Sequence, residues 1–205
     1  MPVKDFARAK KRLRARFDDR AVERILRALL ADVLESLGDA KRIEDTFVLS
    51  DDAAVAAAAR ESGASVCLRA PDPGLNEAIE LAAADRVMDG FDAVMVALGD
   101  LPLLSPADVD SLVEAGERAA VVIAPADDGG TALLFRRPPL VIPARFGPES
   151  ASAHETAARE RGVTPLVWSL PKESQIDLDT PEDAARLAAS ARACRTRDVL
   201  RELLR

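Results

Sequence analysis

Residues 93–98 read Ala-Val-Met-Val-Ala-Leu, six apolar positions without a break, entered from Asp92 and left through Gly99. A Val-rich run of that length predicts a strand buried on both faces, and such a strand needs helices on either side of its sheet. Asp100 follows at the carboxyl end of that strand, where open α/β sheets place their ligands. Far downstream, Asp177 and Asp179 stand two apart, so on an extended segment their carboxylates share a side. Three such acids repel one another unless a hard cation sits among them, and Mg²⁺ takes oxygen ligands of this kind. The plainer alternative is one acid that caps a helix and two that are solvated at an edge.

The rest of the chain alternates helix and strand signals. Val22, Ile25, Leu26, Leu29, Leu30, Val33, Leu34 and Leu37 follow helical spacing from Asp19 onward. Further strands are predicted at 46–50, 65–69, 120–124, 132–135 and 163–168, with the Gly129-Gly130 turn reversing the chain before residue 132. Helices are predicted from Asp51 or Asp52 to Gly63, over 76–88 with Asn76 or a neighbour as cap, from Ser105-Pro106, from Ser150, from Thr180-Pro181, and through the tail. This order predicts one α/β domain over 1–205, with right-handed crossovers and a mainly parallel sheet. At 205 residues and 48% apolar the chain is long enough for one sizeable core.

A net charge of −7 argues against nucleic acid as the main partner. No apolar run has the length of a membrane span and no signal core precedes the charged N-terminal residues, so a cytoplasmic protein is expected. Cys67 and Cys194 lack the spacing of a zinc site. Against the acidic background, Lys4, Lys10, Lys11, Arg12, Arg14 and Arg16 concentrate positive charge. They read either as a grip on polyphosphate or as the solvated face of a helix. Arg145, the Gly147 amide and a helix start at Ser150 offer an anion site, and the exposed amides of the Gly-Gly turn offer a weaker one. Asn76 could bond a ligand base or ribose, or only cap its helix. His154, the one histidine, is expected to be structural rather than a general base. The signatures GxxxxGK[ST] and GxGxxG are both absent.

Taken together, several segments resemble one family over nearly the whole chain. They are Pro2-Val-Lys4 with Ala9-Lys-Lys-Arg-Leu13, Gly74-Leu-Asn76, Gly99-Asp-Leu-Pro102, Asp128-Gly-Gly-Thr131, Arg145-Phe-Gly-Pro-Glu-Ser150 with His154, and Asp177-Leu-Asp-Thr-Pro-Glu-Asp183. The family is the 2-phospho-L-lactate guanylyltransferases of coenzyme F420 biosynthesis. The resemblance implies a single-domain nucleotide-diphospho-sugar transferase fold, GT-A-like and Rossmann-like, with a mainly parallel mixed sheet. It implies transfer of GMP from GTP to phosphoenolpyruvate or 2-phospho-L-lactate, or to 3-phospho-D-glycerate in some members, with release of pyrophosphate. It further implies Mg²⁺ on Asp100, Asp177 and Asp179, nucleotide phosphates on Lys4, Lys10 and Arg12, and the acceptor acid on Thr131, Gly147 and Ser150. The labile product implies handover to a following transferase of the pathway. Rival readings are a same-fold enzyme for another acceptor, such as a sugar phosphate, and a non-catalytic nucleotide-binding domain.

Two departures from the family pattern stand out. The family strand ahead of Pro-Val-Lys is usually longer, and members commonly read Gly-Gly-Thr-Asn-Ala where Thr131 here precedes Ala132.

Overall fold

Local chemistry starts the helices where the sequence places them. The computed structural model describes residues 1–7, 9–68 and 74–205. Helix α1 (Asp19–Gly38) begins at Asp18, whose carboxylate accepts the Ala21 N–H at 2.8 Å. Then come β1 (Phe47–Ser50), α2 (Ala53–Glu61) capped by Asp52, β2 (Ser65–Leu68), α3 (Leu75–Met88), β3 (Val94–Ala97) and α4 (Pro106–Ala115). The chain continues through β4 (Val121–Pro125), β5 (Thr131–Arg136), α5 (Ser150–Glu160), β6 (Leu166–Val167), α6 (Pro181–Ala189) and α7 (Arg195–Leu203). Ser105 with Asp108 and Thr180 with Asp183 form reciprocal capping boxes, each followed by a proline in the first turn. The tail helix α7 has a cap the sequence does not announce: Asp32, buried on α1, accepts the N–H groups of Arg195 and Thr196 at 2.9 and 2.8 Å. No described helix is long and apolar enough to cross a membrane.

Some expectations need correction. The basic segment is not a helix but a loop with one 3-10 turn at Leu13–Ala15, entered through Lys10 at φ 50°. Of the cap candidates left open for α3, the neighbouring Gly74 serves rather than Asn76 itself. The strand expected at 163–168 shrinks to Leu166–Val167, and Arg69 lies outside the described residues.

Strands β1 and β2 pair in parallel, and the other four run in the order β3-β5-β4-β6. Strand β5 is antiparallel to both of its neighbours, whereas β6 is parallel to β4. The sheet is therefore mixed with an antiparallel strand at its heart, because the tight turn at Gly129-Gly130 can join only antiparallel partners. Alternate residues serve opposite faces. Val122, Ala124, Leu133 and Phe135 join the apolar cluster of α1, α4, α6 and α7, while Val121, Ile123 and Leu134 join that of α3 and α5.

The short segment before Lys4 does pair. Leu49 N–H donates to the Met1 carbonyl and Val3 N–H to the Leu49 carbonyl, both at 2.9 Å, in a parallel bridge to β1. Its other side lies against Gly99, where a Cβ would meet Val3 Cγ2 at 3.5 Å. No described strand joins the first half of β1 to that of β3, and a cavity of about 200 Å³ is lined by Phe47, Ile79, Val94, Met95 and Phe135 among others. Val94 and Met95 are half-buried, short of the full burial that the apolar run predicts, while Val96 and Ala97 are buried.

Gly116 closes α4 at φ −65°, an ordinary conformation, but a Cβ there would stand 2.3 Å from Cε1 of the buried Phe135 ring. Overpacking of this kind should make Gly116→Ala less stable by about 1–3 kcal/mol in urea unfolding, despite alanine's better helix propensity. An unchanged midpoint would show that the ring yields freely.

Candidate active site

The carboxyl end of β3 carries Asp100, and the chain is built to bring the later acids to it. Leu178 is wholly buried and its N–H donates to the Asp100 carbonyl at 3.2 Å, so Asp177 and Asp179 flank an anchored residue. Behind them the Thr180 capping box fixes the turn into α6, and Asp183 also accepts the Asp179 N–H at 3.2 Å. A second anchor is Asp108 on α4. Its carboxylate accepts Ser105 N–H at 3.0 Å and the Ser174 hydroxyl at 2.7 Å, tying the loop after Asp100 to the segment before Asp177.

Lys10 lies between the acids. Its Nζ stands 3.4 Å from Asp100 Oδ2 and donates to Asp179 Oδ1, with only 13% of the side chain exposed. Burial alone would lower its pKa, but the two carboxylates outweigh that and hold it above the ordinary lysine value. Asp177 has no such bond. Burial first, then the charges of Asp100, Asp183 and Asp179, push its carboxyl up to about 6, against the opposing pull of Lys10.

Among the described residues no three His, Cys, Asp or Glu side chains already stand as a metal cage. The donor set nevertheless fits a hard divalent cation: every donor is a carboxylate oxygen, and a positive group already lies on two of them. In front of Asp100 and Asp179 opens a cleft of about 760 Å³. Lys4, Lys10, Lys11 and Arg12 line the same cleft, all of them exposed except Lys10, which contacts the acids directly, so basic groups and carboxylates share one opening. Such an arrangement can neutralise a polyphosphate along its length.

The expected acceptor residues come together differently. Ser150 Oγ donates to Thr131 Oγ1 at 3.1 Å, and Thr131 Oγ1 meets His154 Nδ1 at 3.0 Å. Thr131 and Ser150 are each 1% exposed and do not line the cleft, whereas Gly147 is exposed beside them. The helix-start anion site does not form as expected. Ser150 and Ala151 N–H already donate to the Gly147 and Gly129 carbonyls, both at 3.2 Å. The Arg145 side chain is half-exposed and turns toward Glu160, 4.0 Å away at the far end of α5. The Gly-Gly amides are also committed, Gly129 N–H to the Ala126 carbonyl and Gly130 N–H to Asp128 Oδ1.

Asn76 serves the protein's own backbone. It accepts the Phe146 N–H at 2.7 Å and donates to the Phe146 carbonyl at 3.0 Å, and it does not line the cleft. Glu80, one turn along α3, accepts the Ala144 N–H at 2.9 Å and pairs with the buried Arg136 at 2.6 Å. His154 Nε2 accepts the Arg145 N–H at 2.9 Å. Burial, then the charges of Arg136 and Arg145, bring His154 down to about 4, so the ring is neutral near neutral pH. Its structural role stands as expected, now with partners. Glu80, Arg136 and Ser174 were not singled out from the sequence, and Asp108 was read only as the acid of the Ser105 helix start; the spacing of four between Asn76 and Glu80 is the one signal that puts two polar groups on one face of α3. The cysteines are free, and burial pushes the Cys194 thiol up to about 11.

A family model described as "Guanylyl transferase CofC like" matches residues 1–204. The chain belongs to this CofC-like family. A phosphoenolpyruvate guanylyltransferase of Rubrobacter xylanophilus is 41% identical over 93% of this chain and 92% of its own length. A 2-phospho-L-lactate guanylyltransferase of Methanothermobacter thermautotrophicus is 35% identical over 99% and 89%. A 3-phospho-D-glycerate guanylyltransferase of Phenylobacterium zucineum is also 35% identical, over 95% and 91%. Among solved structures, a putative nucleotide-diphospho-sugar transferase from Desulfovibrio desulfuricans G20 superposes with a TM-score of 0.79 at 22% identity, covering 98% of this chain and 92% of that one. The fold is thus that of the nucleotide-diphospho-sugar transferases. A more distant Mycobacterium tuberculosis structure, TM-score 0.57 at 18% identity over 77% and 84%, is a complex with manganese.

The raised Asp177 carboxyl has a measurable sign. Between about pH 4 and pH 6 the folded chain keeps a proton that the unfolded chain has lost, so stability falls as pH rises through that window. In chelator, Asp177→Asn should therefore melt higher than the parent at pH 7.5, with the gap closing by pH 4. A variant that melts lower at pH 7.5 would contradict the crowding of acids.

Proposed function

We propose that this chain transfers GMP from GTP to a phosphorylated three-carbon acid, phosphoenolpyruvate or 2-phospho-L-lactate, and releases pyrophosphate in coenzyme F420 biosynthesis. The observation that carries the reading is the cleft that gathers Lys4, Lys10 and Arg12 with Asp100 and Asp179. The relative that uses 3-phospho-D-glycerate keeps that acid as an alternative acceptor.

The nucleophile in this transfer is a phosphate oxygen of the acceptor, ionised at neutral pH, so no general base is needed. Consistent with this, the one histidine is sealed in the interior. What the reaction demands is that two anions approach and a third leaves. Lys4 and Arg12 hold the triphosphate from the exposed rim, and Lys10, already beside the acids, meets the charge that grows on the leaving pyrophosphate. Asp100, Asp177 and Asp179 would hold Mg²⁺, which supplies Lewis-acid neutralisation of the phosphates when bound. Thr131, the Gly147 amide and Ser150 receive the acceptor acid. Since Thr131 and Ser150 are covered, binding requires a local rearrangement beside them, and the adjoining Gly147 at φ 141° and Glu149 at φ 54° have conformationally unusual backbones. GTP and the acid are the partners of this site. The setting is the cytoplasm, and the product is consumed by a following transferase.

The test is pyrophosphate release from GTP with Mg²⁺, offering phosphoenolpyruvate, 2-phospho-L-lactate, 3-phospho-D-glycerate and a sugar 1-phosphate in turn. Release with one three-carbon acid is expected, and release with the sugar phosphate alone would overturn the reading. Asp100→Asn or Asp179→Asn should lower turnover at least about a hundredfold while the chain stays folded, the scale of losing one preorganised electrostatic group. Near-normal turnover in either variant would remove the carboxylates from the mechanism.

A further inference from the structure

His154 performs no step of the transfer, yet it is 0% exposed and both ring nitrogens are engaged. The Arg145 N–H donates to Nε2, which makes Nε2 an acceptor and leaves the proton of the neutral ring on Nδ1. Nδ1 therefore carries the donor, which Thr131 Oγ1 at 3.0 Å shares with the Ser150 backbone carbonyl, and it cannot accept the Thr131 proton. Thr131 and Ser150 own two O–H protons between them, and the bond that joins their hydroxyls uses one. With the ring donating, the second O–H proton has no obligation inside the network. In the opposite tautomer Thr131 would turn its proton to the ring and Ser150 would turn its own to Thr131, and none would remain.

We propose that His154 is a positioning residue for the acceptor: by donating from Nδ1 it makes the Thr131–Ser150 pair a net hydrogen-bond donor to the anionic oxygens of the phosphorylated acid. The inference rests on the reading of Thr131 and Ser150 as the acceptor site. An ionised phosphate or carboxylate only accepts hydrogen bonds, so a hydroxyl pair without a free proton would face it lone pair to lone pair. The control is relayed from the Arg145 backbone, because the N–H of that loop residue sets which nitrogen carries the proton. The ring's low pKa, about 4, keeps this proton count constant across the neutral range.

Two substitutions separate the ends of the ring. His154→Asn keeps an N–H near the position of Nδ1, whereas His154→Gln keeps an amide near Nε2 and withdraws the donor from Thr131. Steady-state kinetics with GTP and phosphoenolpyruvate, or 2-phospho-L-lactate where turnover is faster, should show the Gln variant raising KM for the acid about tenfold, the scale of one hydrogen bond to a charged group. KM for GTP should stay within about twofold, the Asn variant should keep the acid's KM within about threefold, and both variants should melt alike. Equal rises in the two variants, a parallel rise for GTP, or no rise in the Gln variant would overturn the proposal. Thr131→Val is the companion measurement. If it leaves KM for the acid unchanged, the acceptor-site reading falls and the inference with it. If it raises that KM while His154→Gln does not, only the role of His154 falls.

Discussion

Three carboxylates gathered at the end of one strand cannot share a small volume without positive charge among them, and much of the architecture around β3 answers that constraint. Lys10 supplies the charge from the opposite end of the chain, carried by an N-terminal segment that β1 holds through backbone bonds. Its backbone is left-handed, at φ 50°, and its side chain is turned inward onto the acids. Asp177, which Lys10 does not bond, retains the residual repulsion as an unusual affinity for protons. A divalent cation would satisfy all three acids at once and free the ammonium for the phosphates in front of it.

The two halves of the site are held by different means. Around the cleft, exposed basic groups belong to a loop and stand open to solvent. At the N-terminus of α5, buried hydroxyls and an imidazole interlock. Open charge of the first kind suits a long polyanion that arrives from solvent, whereas a sealed and directional network suits a small acid whose few oxygens must be told apart.

How much of this is legible in the sequence depends on the range of the interaction. Caps at Asp52, Ser105 and Thr180 are local, and they read correctly because a side chain and the amide it satisfies lie within a few residues. The apolar stripe of α1 reads correctly for the same reason. Asn76 and Arg145 read wrongly because their partners lie elsewhere: Asn76 looks like a cap until the Phe146 backbone, 70 residues on, claims its amide. Glu80 and Arg136 look like ordinary surface charge until the fold buries their bond, and Asp108 looks like a helix-start acid alone until Ser174, 66 residues on, also claims it. The clustering of Asp100 with the later acids, and of both with the basic loop, was legible as charge patterning and as family motif. The lysine bridge between them was not, since no pattern encodes a contact over 169 positions.

Ala144, Arg145 and Phe146 give three consecutive backbone N–H groups to Glu80, His154 and Asn76 in that order. The route of this loop is therefore recorded in the side chains of two helices rather than in its own residues. Transplanted alone into another scaffold, the segment would lose its shape. Moved with the three helical positions that grip it, it would keep that shape even with a different residue in place of the exposed Arg145.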